Sequence, residues 1–132
     1  MRFQKHYTRD EARSLLPEIR GWLNELNKLR SALEKCDQRL VALMLPGCDL
    51  GGSVVNTWVR TLASIKGLLS EFQQREILIK DLDRGLIDFP AILSGNEVFL
   101  CWEQGEEDIE FWHELDAGYA GRERFHDTAT GE

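Results

Sequence analysis

Residues 17–44 read PEIRGWLNELNKLRSALEKCDQRLVALM, and their spacing decides the fold. Ile19, Trp22, Leu26, Leu29, Leu33, Cys36, Leu40 and Leu43 recur in alternating steps of three and four, the seam of a helix that packs along its length against another. At 1.5 Å per residue such a helix reaches about 40 Å. Downstream, LPGCDLGGS (45–53) interrupts the pattern with one proline and three glycines, and Ser53 is a good cap for a new helix. Val55, Trp58, Leu62, Ile65, Leu69 and Phe72 then resume the same alternation. Two matching seams across a short break predict an antiparallel helical hairpin, coiled-coil-like, over about 17–75.

Upstream, Thr8 and Glu11 have the spacing at which a threonine hydroxyl and a glutamate satisfy each other's amides, so a helix is expected from Arg9. Pro17 has no amide hydrogen and suits a first helical turn, which predicts a short helix ending there and the long one starting anew. Leu23, Val41 and Met44 widen the first seam, and Val54, Val59 and Leu68 the second. That is more apolar surface than one seam covers. A second copy, giving a homodimeric four-helix bundle, would bury it; the C-terminal segment folding back is the alternative.

After Gln74 the period drops to two. ILIKD (77–81), GLIDFP (85–90) and EVFLCW (97–102) are separated by DRG and SGN, which predicts a three-stranded antiparallel meander with turns near Arg84 and Gly95. Alternation places Glu97, Phe99 and Cys101 on one face of the last strand, and Val98, Leu100 and Trp102 on the other. A short helix is expected over about 107–115, and a polar tail from 123 to 132. The fold class is therefore α+β in one domain of 132 residues, with the meander and terminal helix occupying about 76–122.

Composition narrows the function. With 42% hydrophobic and 30% charged residues and a net charge of −7, the chain reads as globular, and no apolar run approaches the roughly 18 residues of a membrane span. The start MRFQKHYTRD lacks the apolar stretch of a leader, so a cytoplasmic location is expected. Cys36, Cys48 and Cys101 are odd in number and widely spaced, unlike a disulfide framework or a zinc knuckle. Nine acids and no Lys or Arg lie between Gly85 and Gly121, a block that repels phosphate backbones and argues against nucleic acid. No hydrolase triad or phosphate-cradling loop is visible.

The candidate chemistry gathers at the acidic end. On the expected terminal helix, Ile109, Trp112, His113 and Asp116 share one face. An inward His113 needs partners for both nitrogens, and a carboxylate can supply one. One reading is a structural clasp. A second is a divalent metal held by His113, Asp116 and Glu110, with Asp88 as a further donor. A third is a small-ligand pocket in which Trp102, Trp112 and Tyr119 form walls and Lys80, Asp88 and Arg122 supply charge. A fourth, with Cys101 as nucleophile and His113 as base, is weaker, because a cysteine among apolar neighbours is normally inert.

YTRDEARSLLP (7–17), KDLDRGLIDFP (80–90), GNEVFLCW (95–102) and GEEDIEFWHELDAGYAGR (105–122) together resemble the bacterial family catalogued as domain of unknown function 2203. The resemblance runs through Thr8, Glu11, Lys80, Gly85, Asp88, Cys101, Trp112, His113 and Arg122 among others. It implies a helical hairpin joined to a compact C-terminal unit and implies no activity. Glu103 departs from the basic residue expected there. The sequence favours an interaction or assembly module, not an enzyme; the alternative is a metal- or small-ligand-binding protein built around His113.

Overall fold

The computed structural model describes residues 1–44 and 52–125. Two helices precede a five-stranded antiparallel sheet: α1 (Arg9–Met44), α2 (Gly52–Gln74), β1 (Leu78–Asp81), β2 (Leu86–Leu93), β3 (Asn96–Glu103), β4 (Phe111–Glu114) and β5 (Glu123–Arg124), with a 3-10 turn at Tyr119–Gly121. The strands are paired in chain order. Among the described residues the chain forms two compact units: 1–20 with 72–125, and 21–44 with 52–71.

The start of α1 is the reciprocal box expected from its sequence. The Thr8 amide donates to Glu11 Oε1 at 2.8 Å, and the Glu11 amide to Thr8 Oγ1 at 3.1 Å. Pro17 does not end the helix, contrary to expectation; α1 runs straight through it. Ala12, Leu16 and Ile19, on both sides of the proline, are 2% exposed or less, whereas Pro17 itself is exposed. The lost hydrogen bond therefore faces water, and burial of the opposite track offsets it.

In the 21–71 unit the Trp58 indole donates to Asp37 Oδ1 at 3.0 Å, tying the two arms together. The seam on α2 keeps Phe72 as expected, but two of its turns shift by one residue. Val54 and Thr61 are buried, while Leu62 is exposed, and the Thr61 hydroxyl turns back to the Thr57 carbonyl at 2.7 Å. Leu23 and Val54, expected at the flanks, are core residues; Val41, Met44 and Val59 are exposed. Cys36 is buried in this unit; Cys48, expected in the glycine-rich loop, lies outside the described residues.

The sheet has five strands where three were expected. Ser94 and Gly95 both have positive φ, 52° and 82°, the backbone of a two-residue hairpin turn whose twist suits its strands. Gly85 turns the preceding hairpin at φ 65°, and a Cβ there would meet Gln104 Cβ at 2.5 Å. The expected terminal helix is replaced by β4, whose residues Phe111, Trp112 and His113 pair with Cys101, Leu100 and Phe99. A strand there satisfies the outer edge of β3 and sends Trp112 and His113 to opposite faces. The expected tail contributes β5 and the buried Phe125, whose amide donates to the Glu110 carbonyl at 3.0 Å.

On one face of the sheet the β2 and β3 residues Ile87, Phe89, Ala91, Val98, Leu100 and Trp102 are all apolar and buried. Tyr7 lies edge-on to Phe89 and the Arg20 guanidinium lies over Trp102, so the first turns of α1 belong to this side. Across the other face runs the segment before α1. The Arg2 and Phe3 amides and His6 Nε2 all converge on the Glu97 carboxylate, at 2.8, 2.9 and 2.8 Å. The Gln4 and Lys5 amides donate to Glu76 Oε1.

Desolvation works against the Glu97 carboxylate, but the hydrogen bonds from His6 and the two amides outweigh it and bring its pKa down to about 2, from an ordinary 4.5. A depressed carboxylate stabilises the fold fully above its unfolded pKa and loses that contribution as pH falls through the folded one. The Arg2 and Phe3 amide resonances should therefore keep their bound shifts down through pH 4.5 and change only as pH approaches about 2. A midpoint at the ordinary carboxylate value would show that the clamp is not formed.

Candidate functional site

The hairpin turn at Ser94–Gly95 sets Leu93 opposite Asn96, and five steps further along the ladder it sets Asp88 opposite Cys101. The β3–β4 register sets His113 opposite Phe99. Cross-strand partners share a face, as do residues two apart on one strand. Asp88, Phe99, Cys101, Phe111 and His113 therefore stand together on the face opposite the apolar one.

Asp88, Cys101 and His113 are each 2% exposed or less. His113 Nε2 lies 3.1 Å from both Asp88 carboxylate oxygens, and its Nδ1 is 2.8 Å from the Glu114 carbonyl. A carbonyl only accepts, so Nδ1 carries a proton and Nε2 is the nitrogen turned toward the carboxylate. Burial opposes the imidazolium, yet the hydrogen bonds to Asp88 and to the Glu114 carbonyl outweigh it and raise the His113 pKa. Asp88 and His113 thus share a buried hydrogen bond. Every buried polar side-chain atom among the described residues has a partner.

Cys101 completes the cluster. One candidate ligand atom from each of Asp88, Cys101 and His113 lies within 4.8 Å of the other two. Burial, followed by the negative charge of Asp88, pushes the Cys101 thiol up to about 12. This thiol is protonated at neutral pH and is a poor nucleophile. The ring nitrogen facing the cluster also faces Asp88, and the other is taken by a carbonyl. That is not the relay of a cysteine–histidine–acid triad, in which the base uses one nitrogen for the nucleophile and the other for the acid.

Arginines border the cluster. Arg122 Nη1 donates to Cys101 Sγ at 3.8 Å, and the guanidinium lies 3.6 Å from the centre of the Phe111 ring. Its other nitrogen pairs with Glu106. Glu103 accepts from Arg84 at 2.9 Å and from the Tyr119 hydroxyl at 3.1 Å, and these contacts with the nearby Arg122 charge lower its pKa. Arg13 similarly lowers Asp108 by a hydrogen bond of 2.6 Å. Much of the acidic block is thus answered inside the fold.

The residues singled out in the sequence divide between two faces and two environments. Lys80, Asp88, Arg122 and His113 come together on one face, with Lys80 Nζ 5.4 Å from the Phe99 ring centre. Trp102 and Trp112 lie on the other, Trp102 fully buried with its indole donating to the Glu106 carbonyl at 2.9 Å. Tyr119 is exposed. Asp116 is a 99% exposed side chain, 3.9 Å from Arg2, and Glu110 pairs with Arg124 at 3.0 Å. The structure therefore does not bring Asp116 or Glu110 to His113. Strand geometry separates them: His113 projects inward, and the residues three positions before and after it are no longer its neighbours, as they would be on a helix. Cys101 as a donor beside Asp88 was missed, although the two-residue turn carried the signal.

A model of the uncharacterized conserved protein family DUF2203 matches residues 5–125, and the chain belongs to that family. No curated protein and no solved structure matches it. No helix among the described residues is long and apolar enough to cross a membrane.

Removing one partner of a buried, hydrogen-bonded acid–histidine pair leaves the other unsatisfied. H113A should lower the unfolding free energy by about 3–5 kcal/mol, whereas D116A and E110A should stay within about 0.5 kcal/mol. Urea melts of the three variants measure this; equal small losses would show that the buried pair carries no such weight.

Proposed function

We propose that Asp88, Cys101 and His113 bind a divalent metal ion, zinc being the best match to one thiolate, one imidazole and one carboxylate. The observation that carries this reading is the convergence of three fully buried donors to within 4.8 Å, on a histidine whose second nitrogen is already oriented by a carbonyl at 2.8 Å. Metal-bound histidines are usually held in this way. Donor atoms around tetrahedral zinc stand about 3.2–3.8 Å apart, given bonds of about 2.0–2.3 Å. The existing Nε2 to carboxylate separations of 3.1 Å need little change, and the thiol has only to draw in. An ion would displace the proton between Nε2 and Asp88 and the thiol proton, and its charge would answer both Asp88 and a Cys101 thiolate. Three protein ligands leave a fourth position for water or a small anion.

Zinc added to metal-free protein should bind at one ion per chain and raise the melting temperature, an effect a chelator reverses. Cobalt in its place should give the near-ultraviolet charge-transfer band of a thiolate ligand, absent in C101S and weakened in D88N. Sub-stoichiometric metal, or a band that survives in C101S, would refute the assignment.

A second reading concerns the 21–71 unit and is independent of the first. We propose that the hairpin forms a homodimer, making the protein an assembly module as well. Val41, Met44, Val59 and Leu62 are 56%, 62%, 51% and 37% exposed, a cost that a second copy would remove. Light scattering at high micromolar concentration should give twice 15.2 kDa, and V59E together with L62E should halve it without loss of helicity. A monomer mass for the unaltered chain would contradict this reading.

A further inference from the structure

Asp88, Cys101 and His113 have almost no contact with solvent, so an ion can reach them only if something moves. The apolar face lies on the other side of the sheet, and the strands themselves are held by continuous ladders: β2 and β3 pair from Leu86 with Glu103 through to Leu93 with Asn96. Opening there would break several backbone hydrogen bonds at once. The segment at 2–6, on the cluster's own face, is held differently.

The amides of residues 2–5 are bound by side chains and not by strand backbone. Those of Arg2 and Phe3 end on the Glu97 side chain, and those of Gln4 and Lys5 end on the Glu76 side chain. Backbone pairing begins only at Tyr7, whose amide donates to the Pro90 carbonyl at 2.7 Å. Between these two carboxylate anchors, Phe3 sets its ring edge-on to Phe99 at 5.4 Å, and Phe99 in turn meets the His113 ring at 5.5 Å. The Arg2 guanidinium lies 5.6 Å from the centre of the Phe3 ring. Phe99 is fully buried and Glu97 stands two residues from it on the same face. The strap thus seats an aromatic plug one ring away from the imidazole and is fastened by side chains, which can let go without disturbing the sheet.

We infer that residues 2–6 are a detachable cover that gates entry and exit of the ion at Asp88, Cys101 and His113, with Phe3 as plug and Glu97 as latch; this rests on the metal reading above. A gate differs from a ligand in what it changes. None of its residues touches the ion, so loosening it speeds binding and release together and leaves the affinity alone.

The test is stopped-flow uptake of cobalt by metal-free protein, followed by removal with excess chelator, for the unaltered chain, E97Q and F3A. The thiolate-to-cobalt band is the signal, and circular dichroism is the check on folding. Both rates should rise by about tenfold or more in each variant, with the dissociation constant unchanged within about twofold, as expected for a lowered opening barrier. F3A keeps the latch and removes only the plug, so acceleration in F3A excludes a general loosening from loss of Glu97. Unchanged rates in both variants, with the band present, would overturn the gate and leave the metal site standing. Faster release with unchanged uptake would also overturn it, because the strap would then be stabilising the bound state. Absence of the band in the unaltered chain would overturn the site, and the gate with it.

Discussion

A carboxyl group and an imidazole, each with a side chain 2% exposed, meet at 3.1 Å on the face of the sheet opposite the apolar one. Burying two such polar groups costs free energy, and good geometry with further hydrogen bonds is what recovers it. Here the recovery comes from neighbouring strands: Glu114 supplies its carbonyl to Nδ1, and the β2–β3 and β3–β4 registers bring Asp88 and His113 to the same face. Were β4 a helix, as its sequence suggests, His113 would face other partners and the Asp88 carboxylate would be buried without it. The strand at 111–114 and the buried pair therefore require each other.

The same constraint organises what lies around the cluster. A face that carries Asp88, Cys101 and His113 cannot be covered by a purely apolar layer without leaving polar groups stranded. It is bordered instead by Arg122, stacked on Phe111 and paired with Glu106, by Lys80 over Phe99, and by a strap anchored on Glu97. On the opposite face the β2 and β3 residues from Ile87 to Trp102 are apolar and need no such provision. One sheet thus has two chemically different sides, which is the reason to seek function on one of them.

Much of this was legible in the sequence. The helix start at Thr8 and Glu11, the two helical arms, the first three strands and their turns follow from local rules, because capping, glycine and period-two signals act within a few residues. Three features were not. Pro17 is tolerated only because buried residues flank it on the far side of the helix, and that is tertiary information. The α2 seam passes through Thr61, whose hydroxyl is satisfied by its own helix, so an apolar count prefers Leu62 beside it. Residues 111–114 are too few for periodicity to distinguish strand from helix, and the free edge of β3 decides the matter. That single difference removed Asp116 and Glu110 from His113 and left Asp88 as its partner. The Cys101 position opposite Asp88 was available by counting outward from Ser94 and Gly95, but its proximity to His113 needed the fourth strand.

A crystal grown with zinc and measured on both sides of its absorption edge examines the arrangement of Asp88, Cys101 and His113 directly. An anomalous peak at full occupancy is expected about 2.0–2.3 Å from His113 Nε2, an Asp88 carboxylate oxygen and Cys101 Sγ, with Nδ1 still on the Glu114 carbonyl. A peak bound only by surface acids such as Asp116 and Glu110, with Nε2 still on Asp88 and Cys101 unligated, would contradict it.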